Sequence, residues 1–144
     1  MPTAKEVTIS AWSGMVRAAR RLTDAVEADV KQAGFPPLAW YDVLVELSRA
    51  PRGRLTPKEL EERTVMAQYN LSRLLDRLER EGLVQRIEYP GDRRRQRIEI
   101  TGPGRFLRKA MWPVFAGAIE RHLGSQLSDG ESARLAELLA KLAR

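Results

Sequence analysis

The sequence predicts a mainly α-helical protein with one small β-hairpin, and three observations support this fold class. Apolar residues recur at helical spacing through most of the 144 residues. Thr56, Pro57 and Glu59 form a helix-start signal near the middle of the chain. Strand-like alternation occurs in residues 83–101, on both sides of turn-forming residues. The length fits a single compact subunit.

Two helices are predicted before the helix-start signal. The first runs from Ile9 to about Lys31, with apolar residues at helical spacing and charged residues between them. Gly34 and two prolines follow it, which is typical of a helix end. The second helix, over residues 38–50, is almost continuously apolar and is expected to be buried. The sequence PRGR at residues 51–54 ends it.

Two short helices separated by only about four residues are predicted next. The first begins at Thr56 and has Leu60 as its main apolar residue, and the second ends at Gly82. The apolar stripe of the second consists of Leu71, Leu74, Leu75 and Leu78. Two short helices joined by so tight a turn, the second longer and basic, are typical of a helix-turn-helix.

A wing is predicted directly after the second of these helices. The β-prone segments LVQRIEY and RQRIEIT enclose the turn residues PGDR. Near the bend lie four arginines, Arg93, Arg94, Arg95 and Arg97. Such a run of charge is typical of a solvated loop that keeps a protein soluble. At the tip of a hairpin it could also contact an anionic partner, and both interpretations stay open at this point.

The rest of the chain is predicted to be helical. An apolar pattern from Phe106 to Leu123 contains Pro113, which should kink or divide the helix because proline lacks an N–H group and clashes with the preceding turn. A last helix is expected over about residues 129–142. Ser128 is its expected cap, and leucine residues form a stripe along it.

Composition and motifs limit the function classes. The formal charge of +6 makes nucleic acid a plausible partner. The sequence has no cysteine, glycine-rich phosphate loop, GxSxG motif or metal-ligand cluster, so we expect no enzyme activity, no cofactor and no metal site. It has neither a signal-peptide pattern nor an apolar run near the roughly 18 residues that span a bilayer. A cytoplasmic protein without a membrane partner is expected.

The segment LSRLLDRLEREGLVQRIEYPGDRRRQRIEIT resembles the MarR family of bacterial transcription regulators. The matched pattern is a helix-to-strand run of the form [ST]RL[VL]DRLExxGLVxR, found here at residues 72–86. An aspartate–x–arginine wing follows at Asp92 and Arg94, and an apolar–x–apolar–Thr strand end follows at residues 98–101. The order of the helices extends the likeness over nearly the whole chain.

The sequence departs from the family pattern in three places. Ala67 stands where a serine usually caps the recognition helix, and Thr64 could replace that cap if the helix starts earlier. The family usually reads TEAG after the wing, whereas this chain reads TGPG, in which Gly102 and Pro103 still suit a helix start. The lack of cysteine argues against the branch that senses peroxide and hypochlorite.

The resemblance implies one MarR-like subunit over residues 1–144 that forms a homodimer. Residues 9–33 and 104–144 would form a helical dimerisation region, and residues 37–101 a winged helix-turn-helix lobe. Two lobes would bind a palindromic operator in double-stranded DNA and regulate transcription, most simply as a repressor. The wide apolar stripes of the first and last helices independently favour a dimer, since a single lobe has little left to cover them.

In such a lobe, the recognition helix over about residues 67–81 would enter the major groove and turn its first residues to base edges. The candidate DNA-binding residues on it are Gln68, Tyr69, Asn70, Ser72, Arg73 and Arg77. Glutamine and asparagine can pair with adenine, and arginine with guanine. The alternative is a solvated helix face. Tyr69 could contact a thymine methyl group, a phosphate or only its own helix.

The wing would supply a second contact, because the narrow minor groove of A·T-rich DNA attracts arginine. By resemblance Arg94 is the first choice for insertion and Arg93 the second. Asp92 is expected to pair with an arginine and so to orient the turn. Arg95 and Arg97 would either contact phosphate or face water.

Many family members release DNA when a small aromatic or anionic molecule binds, so the resemblance also implies an effector. The candidate pocket residues are Trp12, Trp40, Met111, Trp112 and Phe115. The alternative is that they belong to the core and the dimer interface. Three arginines of the first helix could pair with an anionic ligand or simply face solvent, and no role is assigned to His122. A winged helix that binds protein or RNA without a ligand response is the main alternative function.

Overall fold

The computed structural model of the protein describes residues 3–64 and 68–143, with the side chains of Ala4, Gln68, Tyr69 and Arg93 outside the described part. The helices are α1 (Ala4–Gln32), α2 (Leu38–Arg49), α3 (Pro57–Arg63), α4 (Gln68–Arg80), α5 (Gly102–Ile119) and α6 (Asp129–Leu142). The strands are β1 (Arg54–Leu55), β2 (Val84–Ile87) and β3 (Arg97–Ile100). Short 3₁₀ turns lie at Pro51–Gly53 and Arg93–Arg95, and a π-helical turn lies at Glu120–Gly124. The mainly helical fold with a small β-wing is therefore confirmed.

The chain divides into two compact units. The first contains residues 1–33 and 114–144, and the second contains residues 34–113. The second unit therefore holds α2, α3, α4, the three strands and the beginning of α5, whose Leu107 packs against its core. The assignment of residues 9–33 and 104–144 to dimerisation, and of residues 37–101 to DNA binding, stays a prediction.

Reciprocal hydrogen bonds fix the starts of three helices. Thr56 caps α3. Its side chain accepts a hydrogen bond from the Glu59 N–H group, and the Glu59 side chain accepts one from the Thr56 N–H group, both at 3.0 Å. Ser128 forms the same arrangement at the start of α6, so both predicted caps are confirmed. A third capping box, between Thr3 and Glu6, starts α1 at Ala4 rather than at Ile9. The spacing of apolar residues did not reveal this start, because a helical pattern is recognisable in the sequence only after the first turns of α1.

Leucine side chains dominate the core of the second unit. Leu44 and Leu47 of α2, Leu60 of α3 and Leu78 of α4 have no exposed surface. The rest of the predicted α4 stripe is also buried and comprises Leu71, Leu74 and Leu75. Each apolar side chain of this size contributes about 1.5–3 kcal/mol on burial. The core therefore fixes how α4 is rotated about its axis.

The sheet has three antiparallel strands in the order β1-β3-β2. The sequence did not indicate β1, because two residues directly after a helix-breaking segment give no periodicity. Glu99 of the central strand faces Arg54 on one side and Gln85 on the other. Its carboxylate accepts hydrogen bonds from Arg54 Nε and, at 2.5 Å, from Gln85 Nε2. The Arg54 bond and then the Gln85 bond lower the pKa of Glu99.

Gly82 ends α4, as predicted. Its φ of +74° lies in the left-handed region, which glycine adopts without steric cost. The Gly82 N–H group donates to the Glu79 carbonyl at 3.0 Å, and the Leu83 N–H group donates to the Leu78 carbonyl at 2.9 Å. These two bonds form a Schellman motif. The chain therefore turns sharply from the helix into the wing.

Pro113 lies inside α5 and does not divide it, since the helix runs from Gly102 to Ile119. Division, one of the two effects expected from the sequence, was therefore the wrong alternative. A proline removes only one intrahelical hydrogen bond. Met111 before it and Ala118 after it are both buried, so packing holds the helix on either side. A π-helical turn follows α5 directly.

A carboxylate of α1 joins that helix to the π-helical turn in the first unit. Asp29 Oδ2 accepts a hydrogen bond from Arg121 at 2.5 Å and lies 2.8 Å from His122 Nε2. The side chain of Asp29 is 20% exposed, so the contact is partly shielded from water. His122 therefore has a structural contact that the sequence did not predict.

We expect Glu99→Gln to destabilise the protein by about 1 kcal/mol at pH 7, because it weakens the contact with Arg54. The folded-state pKa of Glu99 lies below its ordinary value of 4.5. Its carboxylate therefore stabilises the fold above that value, and this contribution is lost as the pH falls through the lower, folded-state pKa. The difference between wild type and variant in urea unfolding should shrink in acid. Glu88→Gln, at an exposed position, is the control, and an equal loss at both pH values would contradict the prediction.

Candidate nucleic-acid interface

Helix α4 exposes one polar face. Asn70, Ser72, Arg73 and Arg77 are exposed, whereas the leucines between them are buried. The polar face must point outward because the leucine stripe is held in the core. Predicted contacts of Gln68 and Tyr69 concern side chains outside the described part of the chain, and they stay predictions.

The end of α3 is closed by the side chain of Thr64. The Thr64 hydroxyl group donates to the Leu60 carbonyl at 2.7 Å, and Thr64 is buried. α4 is described from Gln68 onward, and Ala67 lies outside the described residues. A cap by Thr64 on an earlier start of α4 stays a prediction, because its hydroxyl oxygen can still accept an N–H group and residues 65–67 lie outside the described part.

An arginine of the wing neutralises the acidic side chains of α4. Arg86 of β2 forms an ion pair with Asp76 at 2.6 Å and lies 3.9 Å from Glu79. Within the described part of the chain, neither Arg73 nor Arg77 takes part in an ion pair. The exposed face of α4 therefore keeps positive charge that a polyanion can neutralise.

Sequence reasoning did not assign a role to this ion pair. Asp76 and Arg86 both lie in the helix-to-strand run quoted above, where an aspartate and an arginine stand ten positions apart. The sequence did contain a signal for this pair, since the acidic Asp76 lies before Gly82, which ends α4, and the basic Arg86 lies after it. The pair joins β2 to α4 and thereby helps to orient the wing.

The wing tip is ordered by the carboxylate of Asp92. Its Oδ1 accepts a hydrogen bond from the Arg94 N–H group at 3.0 Å, and its own N–H group donates to the Tyr89 carbonyl at 3.0 Å. Gly91, with a φ of +80°, permits the preceding bend. The sequence predicts an arginine partner for Asp92, whereas the contact described is with backbone. An aspartate side chain commonly reaches the N–H group two residues further on.

The arginines of the tip differ in their contacts. The Arg95 guanidinium lies 4.3 Å from the centre of the Tyr89 ring, a cation–π arrangement. Arg97 donates to the Arg94 and Gln96 carbonyls at 3.4 and 3.2 Å. Arg94 is exposed, and its side chain forms no ion pair with any residue that the structure describes. The side chain of Arg93 is outside the described part.

α4 and the wing border a common groove in the second unit. Its lining residues come from α3, α4, β2 and the wing: Pro57, Glu61, Leu71, Ser72, Leu75, Arg86, Gln96 and Ile98. Ser72 is an exposed residue of α4, and Gln96 directly follows the turn that carries Arg94. The polar helix face and the wing are thus parts of one surface region.

The predicted effector residues are divided between the two units. Trp12 and Phe115 belong to the first, and Trp40, Met111 and Trp112 to the second. Met111 is fully buried, whereas Trp112 is 50% exposed. The Trp112 ring stacks on Tyr41 with centroids 6.5 Å apart and planes inclined by 13°, and burial raises the pKa of Tyr41. A pocket formed by all five residues stays a prediction.

The described residues contain neither a cluster of metal ligands nor a membrane-spanning helix. Among them, no group of three or more histidine, aspartate or glutamate side chains could hold a metal ion. No helix within those same ranges is both long and apolar enough to cross a membrane.

Comparisons with known proteins give consistent matches. A model of the MarR family matches residues 33–95. The chain is 31% identical to the HTH-type transcriptional repressor NicR of Pseudomonas putida over 112 residues, which cover 78% of this chain and 70% of NicR. It is also 31% identical to the HTH-type transcriptional regulator PrsX of Escherichia coli over 91 residues. That match covers 63% of this chain but spans only 54%, about half, of the length of PrsX.

A solved structure matches almost the whole chain. Sco3205, a MarR family transcriptional regulator from Streptomyces coelicolor, was solved in complex with DNA. Its fold matches with a TM-score of 0.82 at 27% sequence identity, over 99% of this chain and 88% of Sco3205.

We expect Asp76→Ala to destabilise the protein by about 1 kcal/mol, because Arg86 would lose its closest anionic partner, whose side chain is half exposed. Glu79→Ala is the matched control. It also removes an acidic side chain of α4 near Arg86, but one that lies beyond hydrogen-bonding distance. Urea unfolding measures both variants. Equal losses in the two would contradict a specific role for the Asp76–Arg86 pair.

Proposed function

Because the chain belongs to the MarR family, we propose that it is a sequence-specific regulator of transcription that binds double-stranded DNA. One observation carries the proposal: α4 exposes Arg73 and Arg77 opposite its buried leucine stripe, and the wing that follows it exposes Arg94 near its tip. These are the two elements that a winged helix-turn-helix turns toward DNA. The similarity to Sco3205, which was solved with DNA, supports the same conclusion.

In this proposal, α4 enters the major groove with its exposed polar face. Asn70 can pair with adenine through two hydrogen bonds, and Arg73 can pair with guanine in the same way. Arg77 lies one turn after Arg73 and can contact a base or a phosphate. Gln68 and Tyr69 would contribute from the first turn, as the sequence suggests.

The wing contacts the adjacent minor groove through Arg94. Its exposure and the lack of an ion pair within the described residues support this choice. The contacts of Arg95 with Tyr89 and of Arg97 with backbone carbonyls leave them better suited to phosphate than to insertion. Arg93 remains the second candidate, and Asp92 would orient the turn through the Arg94 N–H group.

A homodimer is part of the proposal. α1 exposes large apolar side chains, among them Trp12 at 65% and Val7 at 55%. α6 exposes its leucine stripe, namely Leu135, Leu138, Leu139 and Leu142. A second copy would cover both faces, since exposed apolar patches of this extent mark interaction sites. A two-fold dimer would present two recognition helices about 34 Å apart to a palindromic operator.

Repression and release by an effector complete the proposal. NicR, to which the chain is similar, is a transcriptional repressor. The half-exposed Trp112 stacked on Tyr41 offers a flat apolar surface of the kind that aromatic molecules contact. A small aromatic or anionic effector would therefore be the class to examine. Action on chromosomal DNA implies a cytoplasmic location.

The alternative is a winged helix that binds protein or RNA. The exposed arginines of α4 and of the wing favour double-stranded DNA, because contacts with both grooves need positive charge on both elements. Enzyme activity has no support in the motifs of the sequence. A loss of RNA or protein binding alone in the variants below would favour this alternative.

We expect Arg94→Ala and Arg73→Ala each to weaken operator binding about 5- to 150-fold, since a base or groove contact by arginine contributes about 1–3 kcal/mol. Arg73→Ala should also relax the choice of base at one position of each half-site. Fluorescence anisotropy with a duplex selected from a random pool measures both effects. Lys31→Ala, which removes one positive charge in the other unit, is the control. Wild-type affinity in both arginine variants would contradict the proposed interface.

We expect sedimentation to show a dimer at micromolar concentration and Leu138→Glu to shift it toward monomer, because a charge would be buried in the proposed interface. Ala140→Glu places the same side chain on the opposite face of α6 and should leave the dimer unchanged. A stable wild-type monomer, or equal effects of the two changes, would contradict the dimer proposal.

A further inference from the structure

We infer that Thr101 is a positioning residue for DNA recognition, because its hydroxyl group holds the root of the wing against the end of α4. This inference rests on the proposed function. Thr101 lies at the root of the wing and would act through Arg94 at the tip. The sequence alone predicted for Thr101 only that it ends a strand.

The hydroxyl group of Thr101 joins the two helices on either side of the wing. It donates to the Gly82 carbonyl at 2.6 Å, at the turn that ends α4. It also accepts a hydrogen bond from the Gly104 N–H group at 3.1 Å, in the first turn of α5. A hydroxyl group has one donor and two acceptor positions, so both bonds form together.

The backbone of Thr101 makes two more connections at the same place. Its N–H group donates to the Leu83 carbonyl at 3.1 Å, which extends the strand ladder by one bond beyond the Val84–Ile100 pair. Its carbonyl accepts the Arg105 N–H group at 3.0 Å, the first hydrogen bond of α5. Thr101 therefore links the end of α4, the wing and the start of α5.

Gly104 keeps this junction tight. A Cβ atom at this position would lie 2.2 Å from the Leu83 carbonyl oxygen and 2.8 Å from the Ile100 side chain. The first turn of α5 therefore packs directly on the backbone where the wing begins. No larger residue fits without moving α5 away from the strand that Thr101 closes.

The position of the junction gives it control over the wing tip. β3 begins at Arg97, about four residues before Thr101, and Arg94 lies in the turn that precedes β3. At the rise of a β-strand, the tip of the wing is therefore roughly 15 Å from the junction. A rotation of about 10° at the root would move the tip by roughly 2.5 Å over that length. A hydrogen bond is lost over a smaller displacement, since donors and acceptors must stay within about 3.2 Å. Arg94 thus depends on the geometry at Thr101.

The Asp76–Arg86 ion pair is a second connection between α4 and the wing, further along β2. It explains why removal of the hydroxyl group should change the angle of the wing without unfolding it. Thr101→Val keeps the shape of the side chain and removes the hydroxyl group, whereas Thr101→Ser keeps the hydroxyl group. The two variants therefore separate packing from hydrogen bonding.

The test is a double-mutant cycle between Thr101→Val and Arg94→Ala, read as affinity for the duplex selected by the wild-type protein. Both variants are first checked by circular dichroism at the temperature of the binding assay. We expect Thr101→Val to weaken binding about tenfold in the wild-type background and less than about twofold when Arg94 is already alanine. Thr101→Ser should retain wild-type affinity within about threefold.

Ser128→Ala is the matched control, because it removes the capping hydroxyl group of α6 in the other unit. The effect of Ser128→Ala on affinity should be the same in the wild-type protein and in the Arg94→Ala variant. Thr101→Val that binds like the wild type, or that weakens both backgrounds equally, would overturn the inference while leaving the proposed function intact. A wild-type protein that selects no duplex would overturn the proposed function and this inference with it.

Discussion

The burial of one leucine face determines what α4 can offer to a partner. Leu71, Leu74, Leu75 and Leu78 pack into the core of the second unit, and a helix cannot rotate without exposing them. Because rotation is fixed, the opposite face always presents the same polar side chains. DNA recognition through the major groove requires such fixed presentation, since the side chains must meet base edges in register. The core therefore determines which side chains α4 presents to a partner.

Several acidic side chains of the second unit form ion pairs with nearby arginines. The acidic side chains Asp76 and Glu79 face Arg86, and Glu99 faces Arg54. These ion pairs neutralise carboxylates that would otherwise repel the phosphates of DNA. The formal charge of +6 describes the whole chain, but the arrangement of pairs decides where positive charge remains. Among the described residues, Arg73 and Arg77 of α4 and Arg94 of the wing take part in no ion pair.

The sequence predicted the features that depend on neighbours along the chain. The caps at Thr56 and Ser128 and the stop at Gly82 are local chemistry, and all three are confirmed. The contacts of Glu99, Arg86 and Thr101 were missed, because each depends on residues brought together by the fold. The DNA contacts of Gln68, Arg73 and Arg94 stay predictions, since specificity also depends on the partner. The effector pocket is the least determined by sequence, because its residues come from distant segments.

The order of the strands also bears on how the protein avoids aggregation. An open strand edge can pair with a strand of another molecule. The central strand β3 is covered on both sides, and β1 on one edge is only two residues long. β2 on the other edge has four residues and carries Arg86, a charged side chain of the kind that discourages pairing between edges. Both edges of the sheet are thus poor templates for pairing with the sheet of another molecule.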